Sequence, residues 1–530
     1  MRRLLPYFLL WLPLLGAEYD WLVRNARVVD GTGNPWYLAD VAVKDGKIAA
    51  IGDLTNAEAG RIVDAAGKVL APGFIDVHTH VERTLQQVPG GDNFVLDGVT
   101  TIVTGNCGGS KVDLAGWFRE LEEMGLGLNV ASLIGHNSVR REAMGAEQRA
   151  PTPEELARMQ ALIEEAMRGG AVGLSTGLIY VPGTYADTAE IVALAKVAAR
   201  YGGVYATHMR NEGEQWFDAI DEAVAVGREA EIPVQISHFK VSSKNAWGWS
   251  GKGIALVEKA RREGVDVVVD QYPYDRSSTG LSILLPSWAL AGGENALKER
   301  LADPETRARI ADDMEEVLRR RGQEDYSFAM VARFEADPAL EGKTVSDINQ
   351  LRGRDKTVAN EVLTVMEMVN QGGASMVYHN MSMDDVERIL RYRNTAVASD
   401  GGTIVYGDGK PHPRSYGTNA RVLARFVRER ATLTLEDAVR RMTSLPARTF
   451  GFRDRGLIVE GFAADLVLLD PDLVEDKATF EDPHQYSTGF ELVLVNGQAV
   501  VENEKVAGAR PGKVLRRRFT GHETVSPHAP

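Results

Sequence analysis

Apolar and polar positions alternate in short runs at both ends of the chain. Residues 19–70 hold several such runs between glycine and asparagine turns, and the pattern returns at 465–470 and 491–497. A period of two is typical of strands that bury one face against a core. We therefore predict that the two ends of the chain build one small β-sandwich, so that the residues between them form an insertion.

The middle of the chain alternates apolar runs with amphipathic helical patterns, one of which begins at Pro153. Eight strand–helix repeats predict an α/β fold of the (β/α)8 TIM-barrel type. A further apolar run at 374–379 competes for a place among the strands. The eight predicted strands are 73–80, 100–107, 130–136, 171–177, 203–209, 233–239, 266–273 and 395–400.

A charged segment interrupts the alternation of strands and helices before the last predicted strand. Residues 281–345 contain a helical stretch and an Asp-Pro-rich tail, and their length predicts a small subdomain over the barrel mouth. It acts either as a lid or as a decoration without a part in turnover. The predicted domains are a signal segment 1–17, sandwich segments 18–70 and 451–518, barrel segments 71–280 and 346–450, the insertion 281–345 and a polar tail 519–530.

The composition narrows the range of partners. The chain has 530 residues and a formal net charge of −14, which disfavours nucleic acid and anionic membranes as partners. A small-molecule substrate stays open, because a local pocket can oppose the overall charge. The single cysteine, Cys107, has no second cysteine with which to form an internal disulfide. The sequence leaves the oligomeric state open.

Residues 1–17 have the layout of a secretory signal peptide. Arg2 and Arg3 precede an apolar run that ends in the small residues Gly16 and Ala17. The run is shorter than the ~20 residues that a membrane-spanning helix needs, and it contains two prolines. We therefore predict an exported protein, periplasmic or secreted, with no membrane anchor after cleavage. The alternative is an upstream extension that was never a signal.

Polar side chains with metal-binding chemistry stand at the carboxyl ends of several predicted strands. Catalytic residues of a barrel collect at that end, and four of the ten histidines are found there. His78 and His80 are two residues apart on one strand, so their side chains leave the same face. Imidazole, thiolate and carboxylate all suit a zinc-like ion. The candidates are His78, His80, Cys107, His208, His238 and Asp400.

Several longer motifs occur in a fixed order along the chain. They are Pro72-Gly-Phe-Ile-Asp-Val-His-Thr-His80, Gly98-Val-Thr-Thr-Ile-Val-Thr-Gly-Asn-Cys-Gly108, Ser175-Thr-Gly-Leu-Ile-Tyr-Val-Pro-Gly183, His412-Pro-Arg-Ser-Tyr-Gly-Thr418 and Phe480-Glu-Asp-Pro-His-Gln-Tyr486. Together they resemble the D-aminoacylase (N-acyl-D-amino-acid deacylase) branch of the metal-dependent amidohydrolase superfamily. The resemblance covers nearly everything from residue 20 to 518.

The resemblance implies an amidohydrolase-type barrel that uses zinc to hydrolyse N-acyl-D-amino acids. In that branch one zinc ion is held tightly by the cysteine after strand two and the histidines of strands five and six. Those positions match Cys107, His208 and His238. The strand-one pair, matching His78 and His80, borders a second and weaker metal site.

The resemblance also implies the remaining groups of the site. Asp400 matches the general acid/base of the family, which takes a proton from water and passes it to the departing nitrogen. Fixed positive charge is needed because the substrate carries a carboxylate. The positions that match the carboxylate-binding residues of the family are Lys240, Tyr272, Ser278 and Arg414.

One departure separates the chain from many amidohydrolases. Predicted strand 171–177 has no lysine that could be carboxylated to bridge two metals, which disfavours a hydantoinase-like or dihydroorotase-like site. Three hypotheses follow: an N-acyl-D-amino-acid deacylase, a hydrolase of a related amide such as a dipeptide ending in a D-residue, and a non-catalytic binding barrel that keeps its metal. The complete set of candidate ligands together with Asp400 favours the first.

Overall fold

The computed structural model describes residues 17–517. The predicted signal segment, apart from Ala17, and the polar tail at 519–530 lie outside the described residues, so both stay predictions. Within residues 17–517, no helix combines the length and the apolar character that crossing a membrane requires.

The amino-terminal strands form the first half of a β domain: β1 (Tyr19–Val28), β2 (Tyr37–Lys44), β3 (Lys47–Gly52), β4 (Ala59–Asp64) and β5 (Val69–Pro72). β1 pairs antiparallel with β2, which pairs antiparallel with β3. Along its other edge β1 pairs in parallel first with β4 and then with β5. Trp21, Val41 and Leu70 are buried in the core that these strands enclose.

The chain then enters a parallel barrel. Its strands before the insertion are β6 (Phe74–Asp76), β7 (Val99–Thr104), β8 (Asn129–Ser132), β9 (Ile134–Gly135), β10 (Gly173–Gly177), β11 (Val204–His208), β12 (Val234–Ile236) and β13 (Val267–Gln271). β8 pairs with β7 and β9 pairs with β10, so these two are parts of one barrel strand broken at Leu133. All of the strands are buried along their length, as expected for a parallel sheet covered by helices.

Helices connect the barrel strands: α1 (Asp92–Val95), α2 (Leu114–Met124), α3 (His136–Met144), α4 (Pro153–Arg168), α5 (Thr188–Arg200), α6 (Trp216–Ala230) and α7 (Ser250–Arg262). The start of α4 shows how local sequence sets a boundary. The Thr152 hydroxyl accepts the N–H of Glu155, and the Glu155 carboxylate accepts the N–H of Thr152. Pro153 occupies the first helical position, where a missing N–H costs nothing.

An inserted unit with its own core separates β13 from the last barrel strand. Its elements are β14 (Arg276–Gly280), α8 (Glu294–Ala302), α9 (Pro304–Arg320), β15 (Ala329–Arg333), α10 (Val345–Leu351), α11 (Val358–Asn370) and β16 (Ser375–His379). β16 is the apolar run at 374–379. It pairs antiparallel with both β14 and β15, so it belongs to the inserted unit and takes no place in the barrel.

The core of the inserted unit continues past residue 345. Leu281 and Ile310 share one buried cluster with Val362 and Met376, because α10, α11 and β16 turn their apolar sides toward it. The predicted boundary at residue 345 therefore cuts through a packed unit. The sequence pattern does not show this, since amphipathic helices of a barrel and of an insertion have the same period.

After the inserted unit the chain closes the barrel with α12 (Met383–Arg391) and β17 (Thr395–Val397). β17 pairs in parallel with β13. The N–H of Asp400 donates to the carbonyl of His78 at 2.8 Å, and the N–H of His80 donates to the carbonyl of Gly401 at 2.7 Å. These bonds join the last strand to the first, and the predicted (β/α)8 barrel is confirmed.

The remaining elements return to the β domain. Helices α13 (Arg414–Arg421), α14 (Leu435–Met442) and α15 (Ser444–Phe450) precede β18 (Leu466–Leu469), β19 (Phe490–Val495), β20 (Gln498–Glu502) and β21 (Lys505–Val506). β18 pairs antiparallel with β5, with Leu468 opposite Leu70. The predicted union of the two chain ends is therefore confirmed, and their strands are connected in one nine-stranded sheet.

Candidate metal centre and catalytic site

Three side chains from three barrel strands meet at the carboxyl end of the barrel. Cys107 follows β7, His208 ends β11 and His238 follows β12. The Cys107 Sγ lies 3.6 Å from His208 Nδ1 and 3.5 Å from His238 Nε2. The two ring nitrogens are 2.7 Å apart. These three residues, here called the triad, present one sulfur and two nitrogens to a common point.

The donor atoms of the triad fit a tetrahedral zinc-like ion. Bonds of about 2.3 Å to sulfur and about 2.05 Å to nitrogen would place two such donors about 3.5 Å apart, which matches both sulfur–nitrogen distances. Two nitrogens would lie about 3.3 Å apart, so the imidazoles have to separate slightly when they bind an ion. Burial disfavours the Cys107 thiolate, but His78 and His238 outweigh it and hold the pKa of the thiol well below its usual value. The thiolate is the form that binds metals.

The strand-one histidines extend this cluster toward Asp400. His78 Nε2 is 3.3 Å from Cys107 Sγ and 3.4 Å from Asp400 Oδ1. His80 Nε2 is 3.0 Å from the same carboxylate oxygen. Donor atoms of His78, His80 and Cys107 lie within 4.8 Å of one another, as do those of His78, His238 and Asp400. A second ion in either set would share ligands with the triad.

Three residues of the site adopt left-handed backbone conformations. The φ angles are 51° at Cys107, 35° at His238 and 50° at Asp400. Residues other than glycine rarely take such angles, and those that do are concentrated at functional sites whose surroundings hold them in place. Each of the three follows a strand end by two or three residues, so the chain turns sharply where the side chain enters the barrel mouth.

A buried carboxylate, Asp270, contacts the imidazole of His78 and the backbone of His238. Its Oδ1 accepts the backbone N–H of His238 at 2.7 Å and lies 3.2 Å from His78 Nδ1, while Oδ2 accepts from Gln235 Nε2 at 2.7 Å. This contact favours the proton of His78 on Nδ1 and leaves Nε2 free to face Cys107. The sequence analysis missed Asp270, although an aspartate at the end of the apolar run Val267–Gln271 is a usable signal.

Lys240 lies in the barrel mouth, but its ammonium group is already paired. Its Nζ is 2.6 Å from Glu212 Oε1 and 2.8 Å from His238 Nδ1, and the side chain is buried. This arrangement differs from the free cation that a carboxylate-binding lysine suggests. The sequence analysis missed Glu212, because a charged residue in a loop carries no periodic signal. Its only hint is its place four residues after His208.

Asp400 and Arg414 form a buried ion pair. Arg414 Nη1 is 2.9 Å from Asp400 Oδ2, and the guanidinium carbon lies 4.5 Å from the centre of the Tyr272 ring. Burial opposes ionisation of Asp400, but Arg414 together with His78, His80 and His238 outweighs it, and the pKa of this carboxyl lies well below its ordinary value. Asp400 is therefore a carboxylate that can accept a proton.

Ser278 and His412 contact Arg414 through the backbone. The Ser278 hydroxyl donates to the carbonyl of Met376 at 2.8 Å, and the Ser278 carbonyl accepts from Arg414 Nη2 at 3.4 Å. His412 Nδ1 accepts the N–H of Arg414 at 3.0 Å, and its Nε2 donates to the carbonyl of Arg276 at 3.0 Å. His412 thereby ties the segment that carries Arg414 to the inserted unit.

One cavity of about 560 Å³ is lined by most of these groups; Arg414 is not in its lining and lies against Asp400 and Tyr272, which are. The triad, Asp400, Lys240, Tyr272 and Ser278 line its inner end. The inserted unit supplies another part of the wall, with polar groups that include Arg321 and with the apolar side chains of Ile283, Leu284, Leu285, Pro286 and Phe328. The inserted unit therefore shapes the space that a substrate would enter.

Fold and site together define a metal-dependent hydrolase built on a (β/α)8 barrel. Residues 61–501 match the model of the amidohydrolase family, and the chain belongs to this family. As its resemblance to the D-aminoacylase branch implies, it is a metal-dependent amide hydrolase.

The similarity to characterised relatives extends over nearly the whole chain. An N-acyl-D-glutamate deacylase of Alcaligenes xylosoxydans xylosoxydans is 37% identical over 522 residues, which cover 94% of this chain and 97% of that protein. A D-aminoacylase of the same organism is 36% identical, with 94% and 98% covered.

Solved structures show the same similarity. An N-acyl-D-glutamate deacylase from Bordetella bronchiseptica, complexed with zinc and a phosphonate mimic of the tetrahedral intermediate, is 36% identical and superposes with a TM-score of 0.81. The match covers 94% of this chain and 99% of that one. A D-aminoacylase structure is 35% identical with a TM-score of 0.80, and the match covers 94% of this chain and 100% of that one.

Proposed function

We propose that this protein uses zinc to hydrolyse the amide bond of N-acyl-D-amino acids, giving a carboxylate and a free D-amino acid. The names of its full-length relatives support the substrate class and the D configuration. The observation that carries the reaction type is the convergence of the triad and Asp400 on one cavity, with Arg414 paired to Asp400.

In this proposal the triad holds the tightly bound ion, and His78 and His80 border a second, weaker site. A zinc ion at the triad would polarise the amide carbonyl and make water nucleophilic near pH 7. Asp400 accepts a proton from the attacking water and passes it to the departing nitrogen. His80, at 3.0 Å from Oδ1, orients this carboxylate.

Arg414 and Tyr272 are the proposed carboxylate-binding residues. A guanidinium offers paired N–H donors in a plane, and one face of Arg414 rests on the Tyr272 ring. Lys240 and Ser278 line the same cavity. Because its ammonium group is paired with Glu212, Lys240 contributes to the substrate site as part of that ion pair.

A panel of matched N-acetyl-D- and N-acetyl-L-amino acids, assayed with zinc-loaded protein, tests the proposal. We expect release of free D-amino acids in preference to the L-forms, and no release by Asp400→Asn. Preferential cleavage of dipeptides ending in a D-residue would show that such dipeptides, and not N-acyl-D-amino acids, are the substrate class. Zinc binding without hydrolysis of any compound would contradict the enzymatic proposal and favour the binding barrel.

We also propose that residues 1–17 direct export and are then removed. The two arginines, the short apolar run and the small residues at Gly16 and Ala17 support this. Sequencing the amino terminus of protein secreted or exported by a bacterial host should find a start after Ala17. A mature chain that still begins at Met1 would contradict it.

A further inference from the structure

A buried carboxylate lies behind both imidazoles of the triad. Glu212 Oε1 is 3.0 Å from His238 Nδ1, and Oε2 is 3.7 Å from His208 Nε2. The residue is 7% exposed, and its carbonyl accepts the N–H of Ser242 at 2.7 Å. One side chain therefore faces the outer nitrogen of each proposed histidine ligand.

The two imidazoles present different nitrogens to Cys107. His208 presents Nδ1 and His238 presents Nε2. A ring nitrogen that binds a metal carries no proton, so the proton of each neutral ring is on its other nitrogen. Those other nitrogens are the ones that face Glu212. A carboxylate only accepts hydrogen bonds, so Glu212 favours the metal-binding tautomer of His238, whose Nδ1 is within hydrogen-bond distance. His208 Nε2 has no hydrogen-bond partner among the described residues, and Glu212 Oε2 at 3.7 Å acts on its N–H through charge alone.

Lys240 brings a third donor to the same carboxylate. Its Nζ is 2.6 Å from Glu212 Oε1 and 2.8 Å from His238 Nδ1. Lys240 Nζ and Glu212 Oε1 therefore compete for His238 Nδ1, and without Glu212 nothing would oppose the lysine there. A hydrogen bond from Lys240 uses the Nδ1 lone pair, which places the ring proton on the nitrogen that faces Cys107.

We propose that Glu212 is a positioning residue that holds the metal-binding tautomer of His238 by a hydrogen bond, favours that of His208 through its charge, and opposes competition by Lys240 for His238. This inference rests on the triad as the proposed zinc site, and it adds a residue that binds neither metal nor substrate. The competing role, neutralisation of Lys240 alone, predicts a different outcome in the following experiment.

The Zn²⁺ affinity of metal-depleted Glu212→Gln, measured by competition with a chromophoric chelator, tests the inference. Glutamine keeps the shape of the side chain, but it carries no charge, and its amide nitrogen presents a donor to either His208 Nε2 or His238 Nδ1. We expect Zn²⁺ affinity about 10- to 100-fold below that of the wild type, the usual effect of removing a partner of a metal-binding histidine. Glu212→Asp keeps the charge with a shorter reach and should lose less Zn²⁺ affinity. If Glu212→Gln does not fold, the measurement is made on Glu212→Asp.

A double variant separates the two roles of Glu212. If Glu212 only neutralised Lys240, then Glu212→Gln combined with Lys240→Met would bind Zn²⁺ like the wild type. We expect the double variant to recover only the part of the affinity that competition by Lys240 costs, and to stay weaker than the wild type. Glu214→Gln is the matched control, because Glu214 lies in the same loop and cavity wall but accepts from Ser243 Oγ; its Zn²⁺ affinity should be unchanged.

Wild-type affinity in Glu212→Gln, or full recovery of wild-type affinity in the double variant, would overturn the inference. The readout is independent of substrate. If the wild type hydrolyses no N-acyl-D-amino acid but Glu212→Gln lowers Zn²⁺ affinity, the proposed function is wrong and this inference is supported. If the wild type binds no Zn²⁺, both are wrong.

Discussion

Arg414 Nη1 lies 2.9 Å from Asp400 Oδ2, so the proposed carboxylate-binding residue and the proposed proton acceptor form one buried ion pair. Removing one member of such a pair leaves the other charge uncompensated. Tyr272 stacks on the guanidinium, and His412 accepts the backbone N–H of Arg414. The proposed roles of these two residues, in substrate recognition and in proton transfer, would therefore be coupled through the ion pair.

Arg414→Ala should weaken substrate binding and also lower kcat. Loss of hydrogen bonds to a charged group corresponds to about a 10- to 150-fold increase in KM, and the drop in kcat follows because Asp400 loses its partner. Arg414→Lys keeps a positive charge without the planar pair of donors, so we expect an intermediate effect. Steady-state kinetics measure both, with zinc content as the control. An unchanged kcat/KM in Arg414→Ala would refute the role.

Asp400→Asn should abolish turnover while leaving the triad able to bind zinc. An asparagine cannot accept the proton from water, and removing a general base costs about 10²- to 10⁴-fold in rate. Elemental analysis should find the same zinc content at the tight site in the variant and the wild type. Activity close to that of the wild type in a fully zinc-loaded variant would end the assignment of Asp400 as the acid/base.

The capping box at the start of α4 gives a prediction of pH-dependent stability. The ion pair with Arg149 and the N–H of Thr152 lower the pKa of Glu155 from its ordinary 4.5 to about 2. Because the folded-state pKa is depressed, the stabilising contribution is present above pH 4.5 and is lost as the pH falls toward 2. Glu155→Gln should therefore have a lower Tm than the wild type at pH 7.

The difference in Tm between Glu155→Gln and the wild type should shrink as the pH is lowered from 6 to 3. Glu154→Gln is the matched control, since Glu154 is also in the first turn of α4 and has no assigned role in the cap. Its difference from the wild type should not follow the same trend. A constant difference for Glu155→Gln across this range would contradict the assignment.

The barrel could be predicted because each of its strands has a recognisable pattern in the sequence. Each is a short apolar run, and the runs that bear on chemistry end in His78, Cys107, His208, His238 or Asp400. The carboxyl ends of parallel strands meet at one face of a barrel, so residues far apart in the sequence were expected to be neighbours. The distances among the triad agree with that expectation.

The supporting residues could not be predicted in the same way. Glu212 lies in a polar loop where charged residues are common, and only its distance from two ring nitrogens gives it a role. The contact between Glu212 Oε1 and Lys240 Nζ shows that Lys240 is already paired, which no spacing rule reveals. The end of the inserted unit was missed for a related reason: α10 and α11 are amphipathic, and periodicity does not say which core a helix faces.

X-ray absorption at the zinc edge of the zinc-loaded protein can show whether Cys107, His208 and His238 bind one zinc ion. We expect one sulfur neighbour at about 2.3 Å together with nitrogen or oxygen neighbours at about 2.0–2.2 Å. The sulfur signal should disappear in Cys107→Ser. A first coordination shell without sulfur in the wild-type protein, at one bound zinc per chain, would refute the proposed zinc site.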